Sequence, residues 1–273
     1  MPPIIGIAQW IGEHPLTLLL LVLGLNAGIW VMTVRSARRW HSRRAEARAS
    51  STSIARLAVI LGLVFACIAG AALVFAAIAA GIDPTHEMSK ADQTLADAVS
   101  RHLADPALRL FAVLTHLGDP KTLALLGAVV AIALWWRGWR LLAIGWVASL
   151  AGNAVLNPLL KKIFDRARPP YDQGFLEVSG SSFPSGHSSG AMVAYGMLLY
   201  IALQVLPQRW HVAASIVATT TIIVVACSRV FLRVHFASDV AAGLLSGLAW
   251  TGVCVCALEF ARHRRQRGAS RDA

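Results

Sequence analysis

The sequence predicts an all-α protein, a polytopic bundle of membrane-spanning helices, and three observations lead there. Of the 273 residues, 56% are hydrophobic and 14% charged, against roughly 25% charged in a soluble domain. The mean hydropathy is +0.60. The apolar residues also fall in runs near the length of about 20 that a helix needs to cross a bilayer. About seven runs qualify, near 15–34, 56–81, 121–136, 141–160, 187–206, 211–228 and 237–259. The chain between them is too short for a second domain.

The first run, 15–34, reads as a retained helix. It has no basic segment before it, arginines rather than a small-residue cleavage site after it, and enough length to span. Arg35, Arg38, Arg39, Arg43, Arg44, Arg48 and Arg56 fill the segment between the first two spans. After the second span comes the longest polar stretch, 82–120. There Leu95, Val99 and Leu103 recur every four residues among Asp92, Asp97, Arg101 and Asp105, which predicts a short amphipathic helix packed as a connector at the interface. His86, His102 and the turn containing His116 and Asp119 fit an ordinary polar loop. The run at 121–136 is short for a span. Asn153 and Asn157, four apart in the next run, suit hydrogen bonds between helices. Pro169-Pro170, Gly174 and Gly180 make the 161–186 segment a flexible link.

Cys67, Cys227, Cys254 and Cys256 all lie in apolar runs, without the spacing of a zinc or redox motif. They read as buried thiols that pack as small hydrophobes. Trp135, Trp136 and Trp139 suit an interfacial belt.

The net charge is +11, and its distribution argues against nucleic acid as a partner. Alternate loops, with Arg137, Arg140, Arg209 and the tail arginines Arg262, Arg264, Arg265, Arg267 and Arg271, hold fifteen of the 25 basic residues but only Glu46, Glu259 and Asp272 of the 14 acidic ones. The two faces come out near +12 and −1. Positive-inside sorting puts the basic face in the cytoplasm, the amino terminus outside and the carboxyl tail inside.

Three polar clusters interrupt the apolar chain: Lys161 to Arg168-Pro169, Pro184-Ser185-Gly186-His187, and Ser228-Arg229 with His235 and Asp239. All three fall on the face opposite the arginines. Ionisable groups at membrane depth are costly and mark function. Lys161, Arg168 and Arg229 can neutralise phosphate oxygens. Ser185 and Gly186 open a helix whose free N–H groups suit an anion. His235 and Asp239 are four apart, so they share a helical face if the last span begins there. Asp239 can then hold one ring nitrogen as N–H and leave the other as a nucleophile. His187 remains to protonate the departing oxygen and later to activate water. Taken singly, each residue has a duller explanation, such as an interfacial anchor, a helix start or a residue suited to the helix dipole. Their joint occurrence does not.

These residues resemble a known family. Lys161-Lys-Ile-Phe-Asp-Arg-Ala-Arg168-Pro169, Pro184-Ser-Gly-His187 and Ser228-Arg-Val-Phe-Leu-Arg-Val-His235-Phe-Ala-Ser-Asp239 fill every position of the three-part signature of the type 2 phosphatidic acid phosphatase superfamily. The resemblance covers about residues 85–258 and implies a six-helix phosphatase core, with the first helix as an addition. It divides the chain into an N-terminal helix and basic loop (1–55), a membrane phosphatase domain (56–260) and a basic cytoplasmic tail (261–273). It makes His235 the nucleophile, Asp239 its orienting partner, His187 the general acid, and Lys161, Arg168, Ser185, Gly186 and Arg229 the phosphate cradle, with no metal and no cofactor.

The superfamily includes vanadium haloperoxidases and soluble acid phosphatases, and the spans here favour its bacterial inner-membrane branch. The expected activity is hydrolysis of a lipid phosphate or pyrophosphate at the periplasmic or outer surface. Candidate substrates are undecaprenyl pyrophosphate, phosphatidic acid and phosphatidylglycerol phosphate. The alternatives are a lipid phosphotransferase and a phospholipid-binding or transport protein that uses the cradle without catalysis.

Overall fold

The computed structural model describes residues 2–44, 53–170 and 180–269, and all regular structure among them is helical. Gly174 of the expected link lies outside the described residues, as do the side chains of Arg35 to Arg56 and of Arg267 and Arg271. A short helix α1 (Pro3–Glu13) precedes α2 (Pro15–Arg44) and α3 (Ser53–Ala80). The 82–120 stretch folds as α4 (Glu87–His102), α5 (Asp105–Leu114) and a single 3-10 turn, Thr115–Gly118. Then come α6 (Pro120–Trp136), α7 (Arg140–Phe164), α8 (Gly186–Val205), α9 (His211–Phe231) and α10 (Ala237–Ala269).

Among the described residues, six helices are long and apolar enough to cross a membrane: α2, α3, α7, α8, α9 and α10. The expected span at 121–136 differs. Helix α6 has 17 residues and reaches spanning length only together with the segment Asp105–Gly118, from which it bends by 46°. The break has a local cause. Asp119 caps α6 by accepting the Lys121 N–H at 2.8 Å, and Pro120 supplies no N–H to continue the preceding turn.

Large apolar side chains such as Leu20, Leu25, Leu73, Val129 and Val217 point outward, as they must where hydrocarbon replaces water. Inside, Trp146 is fully buried with Ala194, Met197 and Leu123, and its indole N–H donates to the Gly127 carbonyl at 2.9 Å. A second core joins Val99, Leu103, Phe111, Phe231 and Leu232. Val99 and Leu103 of the amphipathic stripe therefore seat α4 and the chain after it on the end of α9. The cysteines depart from the expectation of buried thiols: Cys67 is exposed on α3, and Cys227, Cys254 and Cys256 are half-buried.

The additional N-terminal segment is integrated into the bundle. Helix α2 lies along α9, where Trp30 Nε1 donates to Thr219 Oγ1 at 3.2 Å and Asn26 Nδ2 to Thr220 Oγ1 at 3.3 Å. Helix α1 packs across α4 so closely that a Cβ on Gly12 would stand 2.5 Å from that of Ala98.

Candidate active site

The end of α7, the starts of α8 and α10, the end of α9 and the side of α4 meet at one end of the bundle. Helix α7 stops at Phe164 because Asp165 turns left-handed (φ 36°), a conformation Asp tolerates better than most residues. The turn sends Arg166 and Arg168 back across the helix ends. Lys161 Nζ donates to the Ser181 carbonyl. Arg168 donates from Nε to Gly180 O at 3.0 Å, from Nη2 to Ser181 O at 3.3 Å and from Nη1 to Val234 O at 2.7 Å. Burial pushes its pKa down while Asp239 pulls it up, and a guanidinium remains charged.

Helix α8 opens where the sequence predicted. Ser185 is its cap: Oγ accepts from Ser188 N at 3.4 Å and from Ser188 Oγ at 2.9 Å. The backbone joins the second and third clusters directly, since Ser185 N donates to Asp239 O at 2.9 Å. That contact requires Gly243 one turn later on α10, where a Cβ would lie 2.5 Å from the Ser185 carbonyl oxygen. Gly186 faces Asn157 on α7. Asn157 is buried, and its Nδ2 makes no hydrogen bond among the described residues, unlike the interhelical bond expected of it.

His235 and Asp239 come together by a different route from the expected shared helical face. Helix α9 ends at Phe231, the backbone turns left-handed at Arg233 (φ 55°), and α10 begins at Ala237, so His235 stands before the helix. Asp239 sits in the first turn of α10 and accepts the Phe236 N–H on Oδ2 at 2.9 Å, one half of a capping box. The same Oδ2 lies 3.5 Å from His235 Nδ1, an ion-pair distance longer than a full hydrogen bond. On the other side of the ring, Arg168 Nη1 is 3.3 Å from Nε2. Burial lowers the His235 pKa to about 4; Asp239 opposes the fall, and the Arg229 and Arg168 charges add to it.

Arg229 is 2% exposed and donates from Nη1 to Thr115 Oγ1 at 2.7 Å. Its Nε has no partner among the described residues. Lys161 is within electrostatic range of Arg168, Asp239 and Arg229, and His187 of Arg229, His235 and Asp119. All the residues singled out from the three clusters therefore gather in one place. A cavity of about 640 Å³ adjoins them, lined by Lys90 and Gln93 of α4 and by Phe164, Arg166, Arg168 and Phe236.

Four further residues belong to the site that the sequence reading did not select. Thr115 holds Arg229. Arg166 bridges Asp92 at 2.9 Å and Asp239 at 2.7 Å, and Ser238 binds both Asp92 and Arg166. One sequence signal pointed to Asp92. It lies three residues before Leu95 and seven before Val99, so it shares the face of α4 that turns inward.

Comparisons with known proteins place the chain in a family. The family model for the PAP2 superfamily matches residues 142–262, a stretch that contains all three clusters. Phosphatidylglycerophosphatase B of Bacillus subtilis (strain 168) is 30% identical over 184 residues, which cover 64% of this chain and 87% of the relative. The crystal structure of the first transmembrane PAP2 type phosphatidylglycerolphosphate phosphatase from Bacillus subtilis superposes with a TM-score of 0.65 at 27% identity, covering 68% of this chain and 93% of that one. On its filled signature, its clustered site and these likenesses, the chain belongs to the PAP2 superfamily and is a membrane lipid phosphatase homologous to phosphatidylglycerophosphatase B.

Proposed function

We propose that this protein hydrolyses the terminal phosphate of a membrane lipid in two steps through a phosphohistidine at His235. The observation that carries this reading is the held imidazole, with Asp239 at Nδ1 and the Arg168 guanidinium at Nε2. An arginine N–H only donates, so Nε2 bears the lone pair and Nδ1 the proton. Nε2 attacks phosphorus, the bond from phosphorus to the lipid oxygen breaks, and His187 gives that oxygen a proton. His187 then takes a proton from water as the water oxygen attacks phosphorus. The N–P bond breaks, and phosphate leaves a neutral His235.

Lys161, Arg168 and Arg229 neutralise the phosphoryl oxygens, with Ser185, Gly186 and the first N–H groups of α8 completing the cradle. These fixed charges supply the neutralisation that a metal gives other phosphatases, so the chemistry requires neither metal nor cofactor. Phosphatidylglycerol phosphate is the first candidate substrate because of the curated relative; phosphatidic acid and undecaprenyl pyrophosphate follow.

The uneven charge supports a site on the outer face of a bacterial cytoplasmic membrane. Arg137, Arg140 and Arg209 lie at the far ends of the helices that carry the site residues. Residues 56–260 form the phosphatase domain in this reading, flanked by the 1–55 and 261–273 segments.

The test is phosphate release by detergent-purified wild type and His235→Ala from these three lipids. Release by wild type alone supports the reading and ranks the substrates. Equal release by both rejects His235 as nucleophile.

A further inference from the structure

The carboxylate that orients His235 is itself held by a buried ionic network reaching α4. Asp239 is fully buried. Its Oδ2 serves Phe236 N–H and His235, while its Oδ1 accepts from Arg166 Nη1 at 2.7 Å. The other terminal nitrogen of Arg166, Nη2, reaches Asp92 Oδ2 at 2.9 Å, and the guanidinium lies over the Phe236 ring at 4.4 Å. Ser238 closes the network. Its N–H donates to Asp92 Oδ1 at 3.1 Å, its hydroxyl donates to Asp92 Oδ2, and its Oγ accepts from Arg166 Nη1 at 2.7 Å. Arg166 is 8% exposed and Asp92 5%, so water contributes little to holding this geometry. Helix α4 is in turn fixed by α1 across Gly12 and by the Val99–Phe111–Phe231 core.

One cation is thus divided between two buried carboxylates, and its share decides how much negative charge Asp239 presents to His235. We propose that Asp92 is a positioning residue for phosphoryl transfer: through Arg166 and Ser238 it fixes the Asp239 carboxylate and sets the charge that His235 feels. The inference rests on His235 as nucleophile. It makes α4, which carries none of the three motifs, a working part of the site. Burial pushes the Asp92 carboxyl up from its ordinary pKa, against the hydrogen bonds from Ser238 and Arg166. A group placed at that cost has a use to serve.

The charges around His235 give the two partners opposite signatures. Asp239, Arg229, Arg168 and His187 act on the ring, and Arg166 reaches it through its ion pair with Asp239. Removing Arg166 leaves Asp239 more negative and His235 more basic. Removing the charge of Asp92 gives Asp239 the undivided guanidinium and makes His235 less basic.

The experiment measures kcat, KM and the pH profile of phosphate release from phosphatidylglycerol phosphate for wild type, Asp92→Asn, Arg166→Gln, the double variant and His235→Ala, with thermal midpoints in detergent. Asp92→Asn keeps the shape of the side chain, so it isolates charge and alignment from packing. The expected result is a kcat lower by ~10-fold or more in Asp92→Asn at little-changed KM, as misalignment of a catalytic group produces. The acid limb rises in Arg166→Gln and does not rise in Asp92→Asn. Because Asp92 acts in one network with Arg166 and Ser238, the double variant loses less than the two single losses combined. Wild-type kcat in Asp92→Asn, additive losses, or an acid limb that rises in both single variants would overturn the proposal. So would activity lost only in proportion to unfolding. An active His235→Ala would instead overturn the nucleophile on which it rests.

Discussion

Arg168 Nη1 stands 3.3 Å from His235 Nε2, so a residue of the first motif fixes which nitrogen of the third-motif histidine carries the lone pair. The same guanidinium is anchored to the Gly180, Ser181 and Val234 carbonyls. Its position therefore does not depend on substrate.

In the proposed mechanism Arg168 donates to the phosphate and selects the tautomer, and its replacement removes both. Arg168→Ala is expected to lose about 10²–10³ in kcat, the scale for one preorganised oxyanion donor. Arg168→Lys keeps the charge without the planar fork and recovers part of it. Steady-state kinetics on a folded variant check this, and a loss confined to KM would contradict it.

The pH dependence has a defined sign. Burial holds the His235 pKa at about 4, below its ordinary 6.5. With the neutral ring as the proposed nucleophile, the acid limb of kcat/KM, corrected for the substrate's own ionisation, is expected near 4 rather than 6.5. Stability follows the same linkage. Between these values the unfolded chain binds a proton that the folded chain does not, so stability present above about pH 6.5 is lost as pH falls toward 4. The fall in thermal midpoint that wild type shows across this window should be smaller in His235→Gln, which lacks the titrating ring.

Gly243→Ala tests the joint between the second and third motifs. Its Cβ would stand 2.5 Å from the Ser185 carbonyl oxygen, a backbone atom that cannot swing aside. Separating α10 from the start of α8 should cost about 1–3 kcal/mol, as overpacking does, and lower kcat by breaking the Ser185–Asp239 backbone bond. Gly62→Ala, with nothing within 4 Å of its added carbon, is the matched control.

Chelators should leave turnover unchanged. In the proposed cradle Lys161, Arg168 and Arg229 bring the positive charge that a phosphoryl group needs. Phosphate release before and after EDTA checks this, and restoration by an added divalent ion after a loss would contradict it.

The spans and the three motifs were legible in the sequence because both are local signals, a run of apolar residues or a fixed spacing. The network behind them was not. Ser238 and Asp92 are 146 residues apart, Arg166 and Asp92 74, and no periodicity reports which charge meets which across such distances. Asp92 on the inward face of α4 was the one visible clue. Arg166 stood inside a recognised motif but between its defining positions. The shared helical face of His235 and Asp239 required the last helix to begin at His235, whereas Arg233 turns left-handed and α10 begins at Ala237. The 121–136 span looked short because Asp119 and Pro120 break its helix from the segment that completes it. Helix α1 escaped notice since its 11 residues are too few to span.

The most direct test of the central claim is to trap the phosphoenzyme. Wild type and His235→Ala would be mixed with phosphate-labelled phosphatidylglycerol phosphate, quenched in base within one turnover, digested and sequenced by mass spectrometry. Phosphate is expected on Nε2 of His235 in wild type and none in the variant. Phosphate on another residue, or turnover by wild type with an unmodified His235 at every quench time, would contradict it.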